Sequence, residues 1–120
     1  MTLSVLVVGG AGYVGSHAVK HLLKRGHRVT AFDNLSRGHA GAVPPSLLFR
    51  GDLLDEPDLA EVFRSARFDV VMHYAGLCYV GESVTNPHEY YSNNVVGTLN
   101  LLNAMLAAGV RRLVFSSTCA

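Results

Sequence analysis

Apolar residues come along this chain in short bursts, separated by stretches in which they recur every third or fourth position. Ser4–Val8 is a nearly unbroken apolar run that ends at Gly9, the length of a buried strand. Val14, Ala18 and Leu22 then recur at helical spacing, with Lys20 and Lys24 on the other side, and Gly26 marks the end of that helix. Arg28–Asp33 reads as a second strand through Val29, Ala31 and Phe32. Asn34–Ser46 carries Gly38, Gly41, Pro44 and Pro45 and is expected to be loop. Leu47–Arg50 is a third short strand. Asp55 is placed to cap a short helix whose apolar face is Leu59, Val62, Phe63 and Ala66. Asp69–Tyr74 is the fourth strand, followed by a loop over Ala75–Thr85. Asn86-Pro87-His88-Glu89 opens a long helix: Asn86 as N-cap, proline at the first helical position, Glu89 at capping-box spacing. Val95, Leu99, Leu102 and Leu106 are the expected buried stripe of that helix, Gly109 its stop, and Arg111–Ser116 the fifth strand.

Short strands joined by helices form parallel pairs through right-handed crossovers. The expected fold is therefore α/β: a doubly wound parallel sheet of the Rossmann type, five strands in order 3-2-1-4-5, with the sequence stopping directly after the fifth strand.

Composition agrees with this and narrows the chemistry. The 120 residues fit one domain. Hydrophobic residues make up 49% and charged residues 16%, which suits strands covered on both faces. A net charge of +1 speaks against a nucleic-acid surface, and the densest basic pair is Arg111-Arg112. No apolar run is long enough to span a bilayer, and the segment from Met1 to Val8 reads as a strand rather than a secretion signal. Cys78 and Cys119 fit neither metal nor redox spacing, so reduced thiols, a cytosolic setting and no metal site are expected.

The first chemical motif is Gly9-Gly10-Ala11-Gly12-Tyr13-Val14-Gly15, between a strand and a helix. Glycines here let the backbone turn tightly, approach a pyrophosphate and pack the helix on the sheet, while the helix N-terminus offers N–H groups and partial positive charge. This predicts dinucleotide binding. Asp33, ending the second strand, is placed to accept hydrogen bonds from the ribose hydroxyls and to repel a 2′-phosphate, which selects NAD over NADP; Arg37 keeps NADP open. The alternative for Asp33 is a strand-end turn residue. Asp52, in Arg50-Gly51-Asp52-Leu53, is placed either to receive the adenine amino group or to make an ordinary Gly-Asp turn. His73, Tyr74, Ala75 and Gly76 end the fourth strand on the same edge, where small residues let a cofactor lie against the backbone; His73 is given no catalytic role. Ser116, Ser117 and Thr118 close the fifth strand, as hydroxyl donors to a substrate or as strand-end caps.

Together these segments resemble the extended short-chain dehydrogenase/reductase family, in particular its nucleotide-sugar 4-epimerases. The likeness runs through Val7–His17, Asp33-Asn34-Leu35-Ser36, Gly51-Asp52-Leu53, His73–Leu77, Val80-Gly81-Glu82-Ser83, Tyr90–Leu99 and Phe115–Thr118. The Gly-Glu-Ser and Tyr-Tyr-x-Asn-Asn-Val-x-Gly-Thr stretches are its most specific parts. The resemblance implies NAD as cofactor, with contacts from Gly9, Gly12, Tyr13, Val14, Gly15, Asp33, Asn34, Leu35, Ser36, Arg37, Gly38, Asp52, Leu53, Tyr74, Ala75, Gly76, Leu77, Cys78, Asn93 and Ser116. Many relatives carry Lys where this chain has Cys78. It implies that Thr118 hydrogen-bonds the 4-hydroxyl of a UDP-hexose, whose C4 hydride passes to NAD and returns to the other face of a 4-keto sugar. It also implies a homodimer packed partly through the long helix. The family's Tyr-x-x-x-Lys pair, in which Lys lowers the pKa of a proton-abstracting Tyr, occurs nowhere in these residues. The expectation is that this pair and the domain gripping the UDP-sugar lie beyond Ala120, that residues 1–120 are the dinucleotide-binding part, and that the chain alone is not catalytic.

Overall fold

The computed structural model describes residues 2–35, 40–74 and 92–115. Five parallel strands form one sheet in the order β3-β2-β1-β4-β5, as the alternating pattern predicts. They are β1 (Ser4–Val8), β2 (Arg28–Asp33), β3 (Leu48–Arg50), β4 (Val70–His73) and β5 (Leu113–Phe115). Helix α1 (Tyr13–Lys24) joins β1 to β2, α2 (Glu56–Ser65) joins β3 to β4, and α3 (Gly97–Ala108) precedes β5.

The central strand explains the double winding. Along β1 successive side chains point to opposite faces, and both faces are covered. Leu6 and Val8 join Phe32, Leu59, Val62, Val71, Leu101 and Met105 in one core, under α2 and α3. Val5 and Val7 join Val19, Val29, Ala31 and Val43 in the other, under α1. Register brings the strand tips level: Val8 pairs with Phe32 and His73, and Asp33 with Arg50. The carboxyl ends of β1, β2, β3 and β4 thus share one edge.

Glycines close two helices as expected. Gly26 and Gly109 take φ of +83° and +76°, and the Val110 N–H returns to the Met105 carbonyl at 2.9 Å. Other expectations are corrected. The stretch read as loop over Asn34–Ser46 contains 3-10 turns at Ala40–Ala42 and Pro45–Leu47, so Leu47 ends a turn and β3 begins at Leu48. Asp69, Tyr74, Arg111 and Arg112 lie outside their strands. Asp55 occupies the N-cap of α2 but its side chain makes no capping bond, and Ala66 follows the helix rather than lining its apolar face. Val14 is exposed, and α1 buries Gly15 and Val19 instead. The helix start at Asn86–Glu89 lies outside the described residues.

The largest correction concerns the long helix. Val95, Leu99, Leu102 and Leu106 are exposed, at 40%, 55%, 36% and 74%, while Gly97, Leu101 and Met105 are buried. A helix that is apolar nearly all round carries more than one stripe at helical spacing, so periodicity cannot choose the face. A wide π turn at Ser92–Val96 runs directly into α3.

The two stripes predict different sensitivities. In the monomeric chain, Leu101→Ala should cost about 3 kcal/mol of unfolding free energy, as a fully buried leucine does, and Leu106→Ala under about 0.5 kcal/mol. Denaturant titration of both variants checks this; equal losses would return Leu106 to the core.

Candidate functional site

The shared edge is built from backbone upward. After β1 the chain turns at Gly9, whose φ of +81° favours glycine. The Gly9 N–H donates to the Phe32 carbonyl at 2.7 Å, and its own carbonyl accepts the Gly12 N–H at 3.1 Å. Helix α1 starts immediately against that carbonyl. A Cβ at residue 15 would stand 2.0 Å from the Gly9 oxygen, so the helix can seat this closely only with glycine there. Gly10 is a second close-packed position, where a Cβ would meet that of Ala31 at 2.6 Å.

Helix α1 has no side-chain cap at Gly12 and no acidic residue in its first turn. Its positive end is therefore not neutralised by its own side chains. Tyr13 and Val14 are 82% and 56% exposed beside it, and a Cβ at Gly12 would meet only the Gly9 oxygen, at an ordinary 3.4 Å. Backbone N–H donors with open approach are the chemistry that holds a pyrophosphate, so the residues present fit a dinucleotide.

Two carboxylates at the neighbouring strand tips of β2 and β3 are held in the same way. Asp33 is 9% exposed; its Oδ1 accepts the Leu35 N–H at 2.7 Å, and its Oδ2 accepts the Ala11 N–H at 3.0 Å. Asp52 Oδ1 accepts the Leu54 N–H at 2.9 Å, and its Oδ2 accepts from Asn34 Nδ2 at 3.4 Å. Each acid closes a turn two residues on with one oxygen and reaches another strand tip with the second. The turn-residue and site readings are thus compatible, since a carboxylate has about four lone-pair positions and these bonds engage one on each oxygen. Leu35 stands at φ +66°, in the left-handed region, between them.

On the other side of β1, the Tyr74 N–H donates to the Val8 carbonyl at 2.7 Å. His73 is 2% exposed, with Nε2 3.1 Å from Thr98 Oγ1 and its ring edge-on to Phe115 at 5.1 Å. Burial pushes its pKa down to about 4, so it is a neutral linker between β4 and α3.

The structure brings together Gly9, Gly12, Tyr13, Val14, Gly15, Asp33, Asn34, Leu35, Asp52, Leu53 and Tyr74 on the carboxyl edge. The backbone of Asn93 lies in the π turn before α3. Ser36, Arg37, Gly38, Ala75, Gly76, Leu77, Cys78, Ser116 and Thr118 lie outside the described residues. Sequence reasoning missed Asn100, which lies outside the quoted motifs and contacts the site's framework 47 residues from its partner; it quoted Gly10 and Gly97 within motifs but gave neither its packing role. Among the described residues, no cluster of His, Cys, Asp and Glu is arranged for a metal, and no helix is long and apolar enough to cross a membrane.

A parallel sheet whose strand order reverses beside β1, with a glycine turn and an open helix N-terminus at that point, defines a dinucleotide-binding protein of the Rossmann class. Residues 5–120 match the NAD dependent epimerase/dehydratase family, and the chain belongs to it. It is 48% identical over 118 residues to the UDP-glucose 4-epimerase of Halalkalibacterium halodurans, covering 98% of this chain and 35% of that protein. It is 49% identical over 126 residues to a probable UDP-arabinose 4-epimerase 3 of Oryza sativa subsp. japonica, covering 97% and 31%. The crystal structure of the Thermus thermophilus UDP-glucose 4-epimerase in complex with NAD superposes with a TM-score of 0.93 at 44% identity, covering 97% of this chain and 38% of that one. The chain thus spans about a third of the length of these relatives.

His73 gives the fold a pH signature. The unfolded chain takes up a proton near pH 6.5, the folded chain only near pH 4. Its contribution is intact above pH 6.5 and is lost as pH falls towards 4, by about 2–3 kcal/mol at pH 4.5. Unfolding titrations at pH 7.5 and 4.5 should show His73→Gln flatter than wild type by that amount.

Proposed function

We propose that this chain is the NAD-binding part of a UDP-glucose/UDP-galactose 4-epimerase. The observation that carries the reading is the open N-terminus of α1, with Asp33 held against the same loop. The chemistry that bound NAD would supply is reversible hydride acceptance at the sugar C4. The chain's own residues bind and orient: Gly9, Gly12, Tyr13, Val14 and Gly15 at the pyrophosphate, and Asp33, Asn34, Leu35, Ser36, Arg37 and Gly38 at the adenosine ribose. Asp52 and Leu53 serve the adenine, and Tyr74, Ala75, Gly76, Leu77, Cys78, Asn93 and Ser116 the remaining wall. Thr118 serves the 4-hydroxyl of the hexose. The exposed stripe Val95, Leu99, Leu102 and Leu106 supports a homodimer formed through α3. The setting of the protein is cytosolic on this reading.

The rice relative supports a second reading, a related enzyme acting on another nucleotide sugar. A third, a non-catalytic NAD-binding module, draws on the absence of Tyr-x-x-x-Lys from these residues. In all three the glycine loop holds NAD, so the cofactor test comes first.

Titration of NAD and NADP separates binding from folding at Asp33. Asp33→Ala should weaken NAD about tenfold, the value of a charge-assisted hydrogen bond, and shrink the preference over NADP because the repelling charge is gone. Equal NAD affinity in both proteins would remove Asp33 from the site. A coupled assay of the 120-residue chain with UDP-galactose and NAD should show no turnover above background. Enzyme-like turnover would show that the acid–base pair is not needed.

A further inference from the structure

The turn that follows β3 is gripped from behind by α3. Asn100 Nδ2 donates to the Leu53 carbonyl at 2.9 Å. One turn earlier on the same helix face, Gly97 lies against the Leu53 side chain, where a Cβ would stand 3.1 Å from that of Leu53. Leu53 itself is 5% exposed.

The Leu53 carbonyl and the Leu54 N–H belong to one planar peptide group and point in opposite directions. Asn100 holds its carbonyl end. The N–H end donates to Asp52 Oδ1 at 2.9 Å and so orients that carboxylate. The Asp52 N–H is held in turn by the Asp58 carboxylate, in the first turn of α2, at 3.1 Å. Freed from Asn100, the peptide plane can rotate and withdraw the N–H that aims Asp52.

We propose that Asn100 is a positioning residue of the dinucleotide site: through the Leu53–Leu54 peptide it aims the Asp52 carboxylate at the adenine amino group. This rests on the reading of Asp52 given above. The residue touches no ligand; its effect passes through one peptide plane.

The test compares NAD with nicotinamide purine dinucleotide, in which a hydrogen replaces the adenine amino group and leaves Asp52 no N–H to accept. Wild type should prefer NAD. Asn100→Ala, and the near-isosteric Asn100→Asp that removes the donor, should weaken NAD about tenfold, the upper range for one hydrogen bond, and leave the analogue within about twofold. The Leu54 amide should also exchange with solvent about tenfold faster, while β1 amides keep their rates. Equal weakening of both dinucleotides would mark Asn100 as merely structural and overturn the proposal, as would an unchanged Leu54 exchange rate. A wild-type chain that binds neither dinucleotide overturns the proposed function instead, and Leu54 exchange then decides the clamp by itself.

Discussion

Everything at the carboxyl edge depends on how closely α1 seats on the turn after β1. The helix begins within touching distance of the Gly9 carbonyl, and the absence of a side chain at residue 15 is what permits it. That seating sets where the N–H groups of the first helical turn point. It also fixes the place of Ala11, whose N–H is taken by Asp33 at the end of β2. A bulkier turn would lift the helix, release Ala11 and leave the Asp33 carboxylate partly buried with one fewer donor.

From that point the edge is stitched strand by strand. Asp33 joins the tip of β2 to the loop after β1, and Asp52 joins the tip of β3 to Asn34 just past β2. Each acid also closes its own turn, so a substitution acts on the local backbone and on the neighbouring strand at once. Preorganisation of this kind lowers the ordering cost of holding a flexible ligand, because carboxylates and loop are fixed before it arrives. On the far side, neutral His73 packs between Phe115 and Thr98, tying β4 to α3. Helix α3 thus reaches the framework with polar side chains at Thr98 and Asn100, besides the packing of Gly97 on Leu53.

Much of this was readable in advance. The strand pattern gave the sheet order, since short apolar runs joined by helices leave few un-knotted parallel arrangements. The spacing Gly9, Gly12, Gly15 and the acid at Asp33 placed the candidate site, because phosphate binding at a helix N-terminus is a local device written within one βαβ unit. The double use of the two acids was not readable. A sequence offers turn residue or ligand residue as alternatives, and only the geometry shows one carboxylate doing the first while remaining available for the second.

The amino-acid sequence by itself determined the five strands, the order in which they lie and the glycine turn that opens the first helix, because these follow from local periodicity, glycine placement and chain connectivity. Only the tertiary structure decided which side of α3 is core. Val95, Leu99, Leu102 and Leu106 have the right period, yet Gly97, Leu101 and Met105 are buried. The reason is packing. Gly97 lets the helix approach Leu53, and Asn100 finds a carbonyl there, so the face that fits the β3 turn wins over a second apolar face. Contacts across 47 residues leave no periodic trace, and the residue that grips the Asp52 turn came to light only with the fold.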